Sequence, residues 1–341
     1  MSENCPKIAH KPLIIGNIEL RNRAFLAPMS GVSDVPFRQL AWEFGAGMVV
    51  SEMVASEALT TGQEEMRLKA EAAGLPVHIV QLAGRQAKWM AEATRLAEQS
   101  GAHIIDINMG CPSKRVTNGY SGSALMRDLD HALTLIDAVM GATDLPVTLK
   151  MRLGWDEQSI NAPELAARAE RAGVKMITVH GRTRNQFYKG KADWSKVKAV
   201  RDVVDLPLIV NGDVVDAMTA KQALANSGAD GVMIGRASYG APWIVGQIGA
   251  ELDGQIVPAT PVESNLAELV TRHYEAILTL YGQELGGRNA RKHLDWYCRH
   301  LDQNTLCPVT RKAMMTSREP HVVFKLISEL FGQSAPNQAA A

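Results

Sequence analysis

Short apolar runs rich in β-branched residues recur along the chain, and segments of helical periodicity separate them. Successive runs begin about 23 to 43 residues apart, the length of a strand, a crossover helix and two loops. The eight runs are Phe25–Met29, Met48–Met53, Val77–Leu82, Ile104–Met109, Val147–Met151, Met176–His180, Leu208–Asn211 and Val232–Gly235. Because strands buried on both faces are hydrophobic almost throughout, the pattern predicts a parallel sheet.

The segments between the predicted strands are expected to be helices. Examples are Gln86–Gln99, which has an apolar face, and Ala217–Asn226, which stops before Ser227 and Gly228. Eight β-α units over roughly 240 residues predict an α/β fold of the TIM (β/α)8 barrel type. A doubly wound sheet is the alternative, but it usually has fewer strands, and the chain contains neither G-x-G-x-x-G nor a Walker A sequence.

The segments that flank the barrel pattern differ from it. Leu13–Arg23 contains a Gly-Asn turn between two short apolar runs, which predicts a hairpin closing the barrel floor. After about residue 250, a stretch with glycine and prolines predicts a linker, and helical periodicities such as Leu266–Tyr281 and Val322–Phe331 follow it. We expect a catalytic barrel over residues 1–250, a linker over 251–261, a small all-helical domain over 262–333 and a frayed tail over 334–341.

Composition narrows the class of protein. The 341 residues are 46% apolar and 21% charged, which excludes a disordered acidic or basic tail protein. The 36 basic and 36 acidic residues cancel, which argues against binding of a polyanion by bulk charge, although phosphate affinity depends on where the charge lies. No apolar run approaches the 18 or so residues of a membrane span, and the N-terminus lacks a signal-peptide pattern, so a cytoplasmic protein without membrane contact is expected.

The four cysteines indicate neither a disulfide framework nor a metal site. Cys5, Cys111, Cys298 and Cys307 form no C-x-x-C pair and have no histidine at ligand spacing. We therefore expect no metal, and any chemically special cysteine must act alone.

Polar residues cluster at the C-terminal ends of the predicted strands, where barrel enzymes place their chemistry. These ends carry Ala27-Pro28-Met29, Gln81, Asn108-Met109-Gly110-Cys111-Pro112, Lys150 with Arg152, His180-Gly181-Arg182, Asn211-Gly212-Asp213 and Gly235-Arg236. One polar residue alone could be a solvated strand end or a turn residue. Seven such ends in register favour a functional site.

The loops after the last two predicted strands indicate a phosphate site, as is usual in this fold. Gly212 and Gly235 would let backbone N–H groups approach an anion, and Arg236 would add a positive fork. With Lys150 and Gln81 reaching inward, the site suits flavin mononucleotide (FMN), because a lysine can stabilise negative charge on the N1/C2 carbonyl side of a reduced flavin. A turn glycine and a salt-bridge lysine are the alternatives.

Cys111 follows a buried strand and lies between Gly110 and Pro112. Free cysteines are more often inert core residues, but this position at the rim and the neighbouring glycine favour a chemical role. An unperturbed thiol has a pKa of about 8.5, so it is mostly protonated at neutral pH and can donate a proton. A general acid fits better than a nucleophile because no base is adjacent in sequence, although His180 could be a spatial neighbour.

Several strings follow one another along the chain in this order: APMSGVSDVPFR, NMGCPSKRV, LKMRLGW, VHGRTRNQFYKGKADW, VNGD and MIGR. As an ordered set they resemble the bacterial tRNA-dihydrouridine synthases, most closely the DusB branch, over about residues 13–245 and into the tail through RNARKH. Ser30 stands where alanine is common. The resemblance implies FMN-dependent reduction of the C5–C6 double bond of a tRNA uridine, with NADPH as reductant, hydride reaching C6 from the flavin and a proton reaching C5 from Cys111.

The resemblance also implies roles for individual residues. The implied FMN contacts are Pro28, Met29, Ser30, Gln81, Lys150, His180, Asn211, Gly212, Asp213, Gly235 and Arg236. The implied contacts to the uracil edge are Asn108, Arg152 and Gln186. The target uridine must be turned out of the folded RNA to reach such a site.

A basic cluster lies in the predicted helical domain. Residues 286–318 hold seven Lys and Arg against two acidic residues. Such a run is usually a solvated helix face, but aromatic residues and histidines in and beside it favour a surface that follows RNA phosphates. The expected tRNA backbone contacts are Arg288, Arg291, Lys292, Arg299, Arg311 and Lys312, with Lys114, Arg115, Arg182, Arg184 and Lys189 on the barrel rim.

The expected partners are therefore tRNA and NADPH, with no DNA, and a monomer is expected. Two alternatives stay open. An FMN barrel acting on a small pyrimidine, of the dihydroorotate or dihydropyrimidine dehydrogenase type, would not need the basic helical domain. A non-catalytic RNA-binding barrel would need that domain but no flavin.

Overall fold

The structure, a computed structural model, describes residues 12–301 and 306–332. Its strands are β1 (Ile14–Ile15), β2 (Ile18–Glu19), β3 (Ala24–Leu26), β4 (Met48–Val49), β5 (Met53–Ala55), β6 (Ile79–Ala83), β7 (Ile104–Met109), β8 (Val147–Arg152), β9 (Met176–His180), β10 (Leu208–Asn211) and β11 (Gly231–Ile234). The antiparallel pair β1 and β2 is the predicted hairpin, and Gly16 at its turn has φ 62°.

The remaining strands form one parallel sheet in the order β4-β3-β11-β10-β9-β8-β7-β6-β5. The two end strands, β4 and β5, are separated only by residues 50–52, and the N–H of Ser51 within that gap donates to the carbonyl of Ile79 in β6 at 3.1 Å. They are therefore two halves of one interrupted strand, and the sheet closes on itself as an eight-stranded barrel. The predicted TIM barrel is confirmed, with a break in the strand predicted over Met48–Met53.

Helices occupy the crossovers between the barrel strands. They are α1 (Val35–Glu43), α2 (Ser56–Thr60), α3 (Glu64–Ala70), α4 (Ala87–Gln99), α5 (Lys114–Thr117), α6 (Leu129–Met140), α7 (Ala162–Arg171), α8 (Ser195–Arg201), α9 (Ala217–Ser227) and α10 (Ile244–Leu252), with 3-10 turns at Gly122–Arg127 and Arg236–Ser238. Local signals define α9: Asp216 and Thr219 form a capping box, and Gly228 ends the helix at φ 65°. Both helices singled out from the sequence, α4 and α9, are confirmed.

The inside of the barrel is layered. Its lower layer is apolar and includes Phe25, Ile79, Ile104 and Ile209, with Ile15 of the hairpin packed into the same cluster. Because side chains on a strand alternate between its two faces, the residues two positions further along each strand also point inward. Those residues are mostly polar, and they form the floor of the barrel mouth.

The described residues divide into two compact units. The first holds the barrel up to Ala237 together with Ile244–Val257, and the second holds Ser238–Trp243 and the chain from Pro258 onward. The helices of the second unit are α11 (Glu263–Tyr297), α12 (Pro308–Thr316) and α13 (Pro320–Phe331), with a 3-10 turn at Cys298–His300.

The second unit contains a kinked helix, and aromatic contacts join its two segments of chain. Gly282 interrupts α11 with φ 75° and ψ 169°, immediately after the predicted helix Leu266–Tyr281. Tyr239 stacks on Trp296 with ring centroids 4.1 Å apart, and Trp243 meets His300 edge-on at 4.9 Å. Within the described parts of both units, no helix combines the length and apolar character of a membrane span.

Candidate active site

Buried polar side chains form a connected floor at the mouth of the barrel. The carboxylate of Asp106 accepts hydrogen bonds from Gln81 Nε2 and from Thr148 Oγ1, both at 2.6 Å. Gln81 Oε1 in turn accepts from Asn108 Nδ2 at 2.7 Å. All four residues are less than a tenth exposed, so these bonds are shielded from water.

Asp106 is a site residue that the sequence analysis missed. Burial raises its pKa to about 6, while the hydrogen bonds from Thr148 and Gln81 and the charge of Lys150 act in the opposite direction. The only signal in the sequence is an acidic residue inside an otherwise apolar strand. A buried carboxylate is costly unless it is well bonded, which points to a role for this one.

The loop that carries Cys111 is fixed on every side. Asn108 Oδ1 accepts from the backbone N–H of Gly110 at 3.1 Å and of Cys111 at 3.0 Å. The carbonyl of Cys111 accepts from Ser123 twice, from its N–H at 3.1 Å and from its Oγ at 2.8 Å. Gly122 has φ 60°, and a Cβ there would lie 2.9 Å from the Cys111 carbonyl oxygen, so only glycine fits. Ser123 was not singled out from the sequence.

The environment of Cys111 keeps its thiol protonated. Burial raises the pKa of Cys111, and a backbone hydrogen bond at Ser113 and the charges of Arg152 and Lys150 partly oppose this effect. Within the described residues no hydrogen bond joins Cys111 to His180, whose own pKa is held well below its usual value by burial and by neighbouring cations. His180 is therefore a neutral ring at neutral pH and not the partner of a thiolate.

Lys150 is a buried positive charge at the barrel mouth. Its Nζ donates to Asn211 Oδ1 at 3.1 Å, and Asn211 Nδ2 donates to the carbonyl of Met233 at 2.7 Å, which fixes the amide orientation. Burial, assisted by the charge of Arg152, lowers the pKa of Lys150 to about 8. The ammonium therefore remains mostly charged at pH 7 but titrates not far above it.

The predicted phosphate loops lie beside this lysine. Gly212 has φ 110°, and a Cβ there would lie 2.8 Å from Ala192 Cβ and 2.9 Å from His180 Cδ2, so no larger residue fits. Asp213, at φ 56°, places its carboxylate 3.2 Å from Arg236. The Arg236 side chain is 48% exposed, and an ion pair this open to water is weak and can exchange for an incoming anion.

The loop after β3 forms another part of the mouth. Pro28 and Met29 are half-buried and Ser30 is exposed. The N–H of Gly31 donates to a carboxylate oxygen of buried Glu52 at 2.5 Å, from the gap between β4 and β5. Glu52 was also missed, since its partner lies on a different loop.

Two buried arginines brace the rim. Arg182 is 1% exposed and donates to the carbonyls of Lys189 and Gly190 and to Asp213, the last at 2.5 Å. The prediction that Arg182 contacts the tRNA backbone is therefore corrected, because its guanidinium is enclosed by the protein.

Arg152 is equally buried, and it joins the Cys111 loop to the loop after β9. Its Nε donates to the Gly110 carbonyl at 2.8 Å, and its Nη1 donates to the carbonyls of Thr183 and Phe187, both at 2.9 Å. Only its Nη2 end could serve a uracil edge, so that predicted role stays a prediction. Gln186, the third predicted uracil contact, accepts from the Thr183 N–H at 2.7 Å.

Tyr188 is an exposed aromatic side chain at this rim that the sequence analysis did not single out. Its ring lies 5.6 Å from the guanidinium of Arg152, 5.1 Å from that of Arg236 and 6.4 Å from the ring of His180. With 53% of it exposed, the ring offers a face on which an unstacked base can lie. Tyr188 lies within the VHGRTRNQFYKGKADW string that carries the family resemblance, but the sequence alone assigned no role to it.

The predicted phosphate-contacting residues differ in exposure. On the barrel, Lys114, Arg115 and Lys189 are exposed, whereas Arg184 is half-buried between Trp155 and Phe187. In the second compact unit, called the helical unit from here on, Arg288, Arg299, Arg311 and Lys312 are exposed, whereas Arg291 and Lys292 are half-buried. Arg311 pairs with Asp295. No group of three or more His, Cys, Asp or Glu that could hold a metal ion is found in residues 12–301 and 306–332.

Solved structures with low sequence identity share the fold. A 2-naphthoyl-CoA reductase in complex with 2-naphthoyl-CoA matches with TM-score 0.57 and 14% identity, over 72% of this chain and 52% of that chain. Morphinone reductase in complex with tetrahydroNAD matches with TM-score 0.50 and 17% identity, over 76% of this chain and 93% of that chain. At these identities the similarity concerns the fold alone.

Sequence comparison gives the family. The family profile "Dihydrouridine synthase (Dus)" matches residues 25–325. A probable tRNA-dihydrouridine synthase of Rhodobacter capsulatus is 54% identical over 94% of this chain and 98% of its own length, and one of Rhizobium leguminosarum is 54% identical over 90% and 94%. tRNA-dihydrouridine synthase B of Klebsiella pneumoniae is 43% identical over 83% and 88%. The resemblance inferred from the ordered motifs is confirmed: the chain belongs to the dihydrouridine synthase family.

Proposed function

We propose that the protein is a tRNA-dihydrouridine synthase that reduces the C5–C6 double bond of a tRNA uridine, using bound FMN and NADPH as the reductant. The observation that carries this proposal is the position of Cys111, on a loop held by hydrogen bonds, at the same barrel mouth as buried Lys150 and two glycine-containing loops. The names of the relatives supply the reaction and the RNA substrate.

The donors at the mouth fit a phosphorylated flavin. Backbone N–H groups around Gly212 and Gly235 and the exposed fork of Arg236 would hold the phosphate. Lys150 would face the electron-rich N1/C2 side of the ring, and the backbone of Pro28–Ser30 would lie along its edge. Bound FMN in its reduced form would supply the hydride for C6 of the uracil, and NADPH would then reduce the flavin again.

Cys111 would perform the proton transfer. Its Sγ–H would give its proton to C5 of the uracil, and the raised pKa of the thiol keeps that proton bound at neutral pH. The thiolate left behind would be stabilised by the charges of Arg152 and Lys150.

Access to the site requires an unstacked base. Turning a uridine out of folded RNA costs about a few kcal/mol, which contacts to the RNA backbone must offset. Lys114 and Arg115 begin α5 directly after the Cys111 loop, and both are exposed. Together with the exposed cations of the helical unit, they are the residues we propose to hold the phosphates. We also propose that the enzyme is cytoplasmic, because the substrate proposed for it is tRNA.

The test is the variant Cys111→Ala, with Cys307→Ala as its control because Cys307 is an exposed free cysteine in the helical unit. We expect Cys111→Ala to retain the flavin absorbance and to form no dihydrouridine in tRNA, measured by mass spectrometry of nuclease digests, while Cys307→Ala remains active. An undiminished product yield from Cys111→Ala would contradict the acid assignment, and colourless protein that takes up no FMN would contradict the cofactor.

A further inference from the structure

The polar side chains at the barrel mouth form a chain of hydrogen bonds that connects Asp106 to the loop of Cys111. All of these bonds have the same donor-to-acceptor direction. Gln81 donates to Asp106, Asn108 donates to Gln81, and the N–H groups of Gly110 and Cys111 donate to Asn108. Every donor in this chain therefore points toward Asp106. A second donor, Thr148 Oγ1, reaches the same carboxylate from the other side.

The direction of the chain is determined at both of its ends. At one end, two backbone N–H groups can be met only by an acceptor, so Asn108 must present Oδ1 to Gly110 and Cys111 and its amide nitrogen to Gln81. Gln81 must then present Oε1 to Asn108 and its nitrogen to position 106. An ionised carboxylate, which only accepts, is the side chain that suits that position on both sides.

We propose that Asp106 is a positioning residue for the proton donor: its acceptor oxygen orients the amides of Gln81 and Asn108, and these hold the backbone of Cys111 in place. The role of Cys111 as acid rests on the proposed function, whereas the orientation of the chain does not. Asp106 itself lies in register with Gln81 on β6 and with Thr148 on β8, and it transfers no proton to the substrate.

Two substitutions of Asp106 distinguish the effect of its hydrogen-bond acceptor from the effect of its negative charge. Asp106→Leu removes the acceptor, so the amide nitrogen of Gln81 loses its hydrogen-bond partner. Asp106→Asn removes the charge but can still present Oδ1 to Gln81, because the Thr148 hydroxyl can rotate and accept from the new amide. Thr148→Val is the matched control, since it removes the other hydrogen bond to Asp106 and leaves the path to Cys111 intact.

The readout is alkylation of Cys111 by iodoacetamide in the FMN-bound protein without tRNA or NADPH, followed by peptide mass spectrometry with exposed Cys307 as the internal reference. The rate is measured against pH. The midpoint of the profile reports the thiol pKa, whereas its alkaline plateau reports how often the loop opens. We expect Asp106→Leu to raise the plateau about tenfold, because the two bonds to Asn108 are weakened. We expect Asp106→Asn and Thr148→Val to keep the plateau of the unsubstituted protein.

A plateau for Asp106→Leu equal to that of the unsubstituted protein would overturn the proposal. A plateau raised equally by Asn and Leu would also overturn it, because charge and not acceptor position would then be responsible. If Asp106→Leu does not fold, Asp106→Ala replaces it, and failure of both to fold would assign Asp106 to folding instead. None of these outcomes bears on dihydrouridine formation, which the Cys111→Ala experiment tests separately.

Discussion

At the scale of single residues, burial determines the protonation states that the site needs. Cys111 retains its proton and His180 is neutral because both are largely removed from water. Lys150 is the exception, because its pKa of about 8 lies close to the working pH. Its charge is therefore the part of the site most sensitive to a rise in pH.

The dependence of activity on pH tests this role of the Lys150 charge. Below about pH 8 Lys150 carries a positive charge, and above it the amine is neutral and no longer stabilises negative charge, so dihydrouridine formation should fall as pH rises through about 8. Lys150→Arg stays charged throughout that range, so its residual activity should lack this step. The measurement is kcat/KM for tRNA with flavin content followed at each pH. A flat profile between about pH 7 and about pH 9 would contradict the assignment.

Arg152 offers a second prediction at this scale. Arg152→Met keeps the volume of the side chain but leaves three carbonyl groups without their donor. We expect the free energy of unfolding to fall by about 2 to 4 kcal/mol, measured by urea denaturation. Arg95→Ala on the exposed side of α4 is the control and should change it by less than about 0.5 kcal/mol. Equal midpoints for the two variants would mean that Arg152 does not brace the loops.

Sequence analysis could predict the site residues whose place relative to a strand already indicates a role. Cys111 and Lys150 stand at strand ends, and the loops around Gly212 and Arg236 follow the last two strands. Asp106 and Glu52 were missed because their roles depend on partners on or after a neighbouring strand, 25 residues away in the sequence at Gln81 and 21 residues away at Gly31. Such pairings follow from strand register, which hydrophobic periodicity does not specify.

At the scale of elements, the loops after β9 and β10 are packed so closely that one glycine decides their shape. A Cβ at Gly212 would overlap His180 and Ala192, and the φ of 110° is itself unfavourable for other residues. Gly212→Ala should weaken FMN binding at least about tenfold, measured by quenching of flavin fluorescence. Gly190→Ala also has positive φ but meets nothing within 4 Å, so it should retain nearly normal affinity. Equal losses in both variants would attribute the effect to backbone strain alone.

The bounds of the strands show how far hydrophobic periodicity can predict where a strand begins and ends. Three of the eight predicted strands, Ile104–Met109, Met176–His180 and Leu208–Asn211, have the same bounds in the structure. The strand predicted over Met48–Met53 is instead divided into β4 and β5. Its apolar pattern continues through the break, but the Ser51 hydroxyl and the Glu52 carboxylate bond to backbone groups there, and that competition ends regular pairing.

At the scale of the whole molecule, zero net charge conceals a local excess of positive charge in the helical unit. Phosphate contacts release counterions, so each one steepens the salt dependence of RNA binding. Arg288→Ala should weaken tRNA binding at low salt and lower the slope of log K against log salt by about 0.7 to 0.9.

Two comparisons accompany that measurement. Arg311→Ala should have a smaller effect than Arg288→Ala, because Arg311 already pairs with Asp295. Arg95→Ala on α4 should leave the slope unchanged. Slopes that do not differ among the three variants would remove the basic cluster from the RNA-binding surface.

The helical unit is built from two separate pieces of chain. Ser238–Trp243 belongs to it although Ile244–Val257 returns to the barrel unit, and a Cβ on Gly240 would lie 2.5 Å from the backbone of Trp296. Cutting the chain once, before Pro258, would leave Tyr239 and Trp243 without their ring partners. The helical unit therefore cannot be exchanged between relatives as a single cassette: a viable chimaera must take its six-residue insert from the same parent as the C-terminal helices.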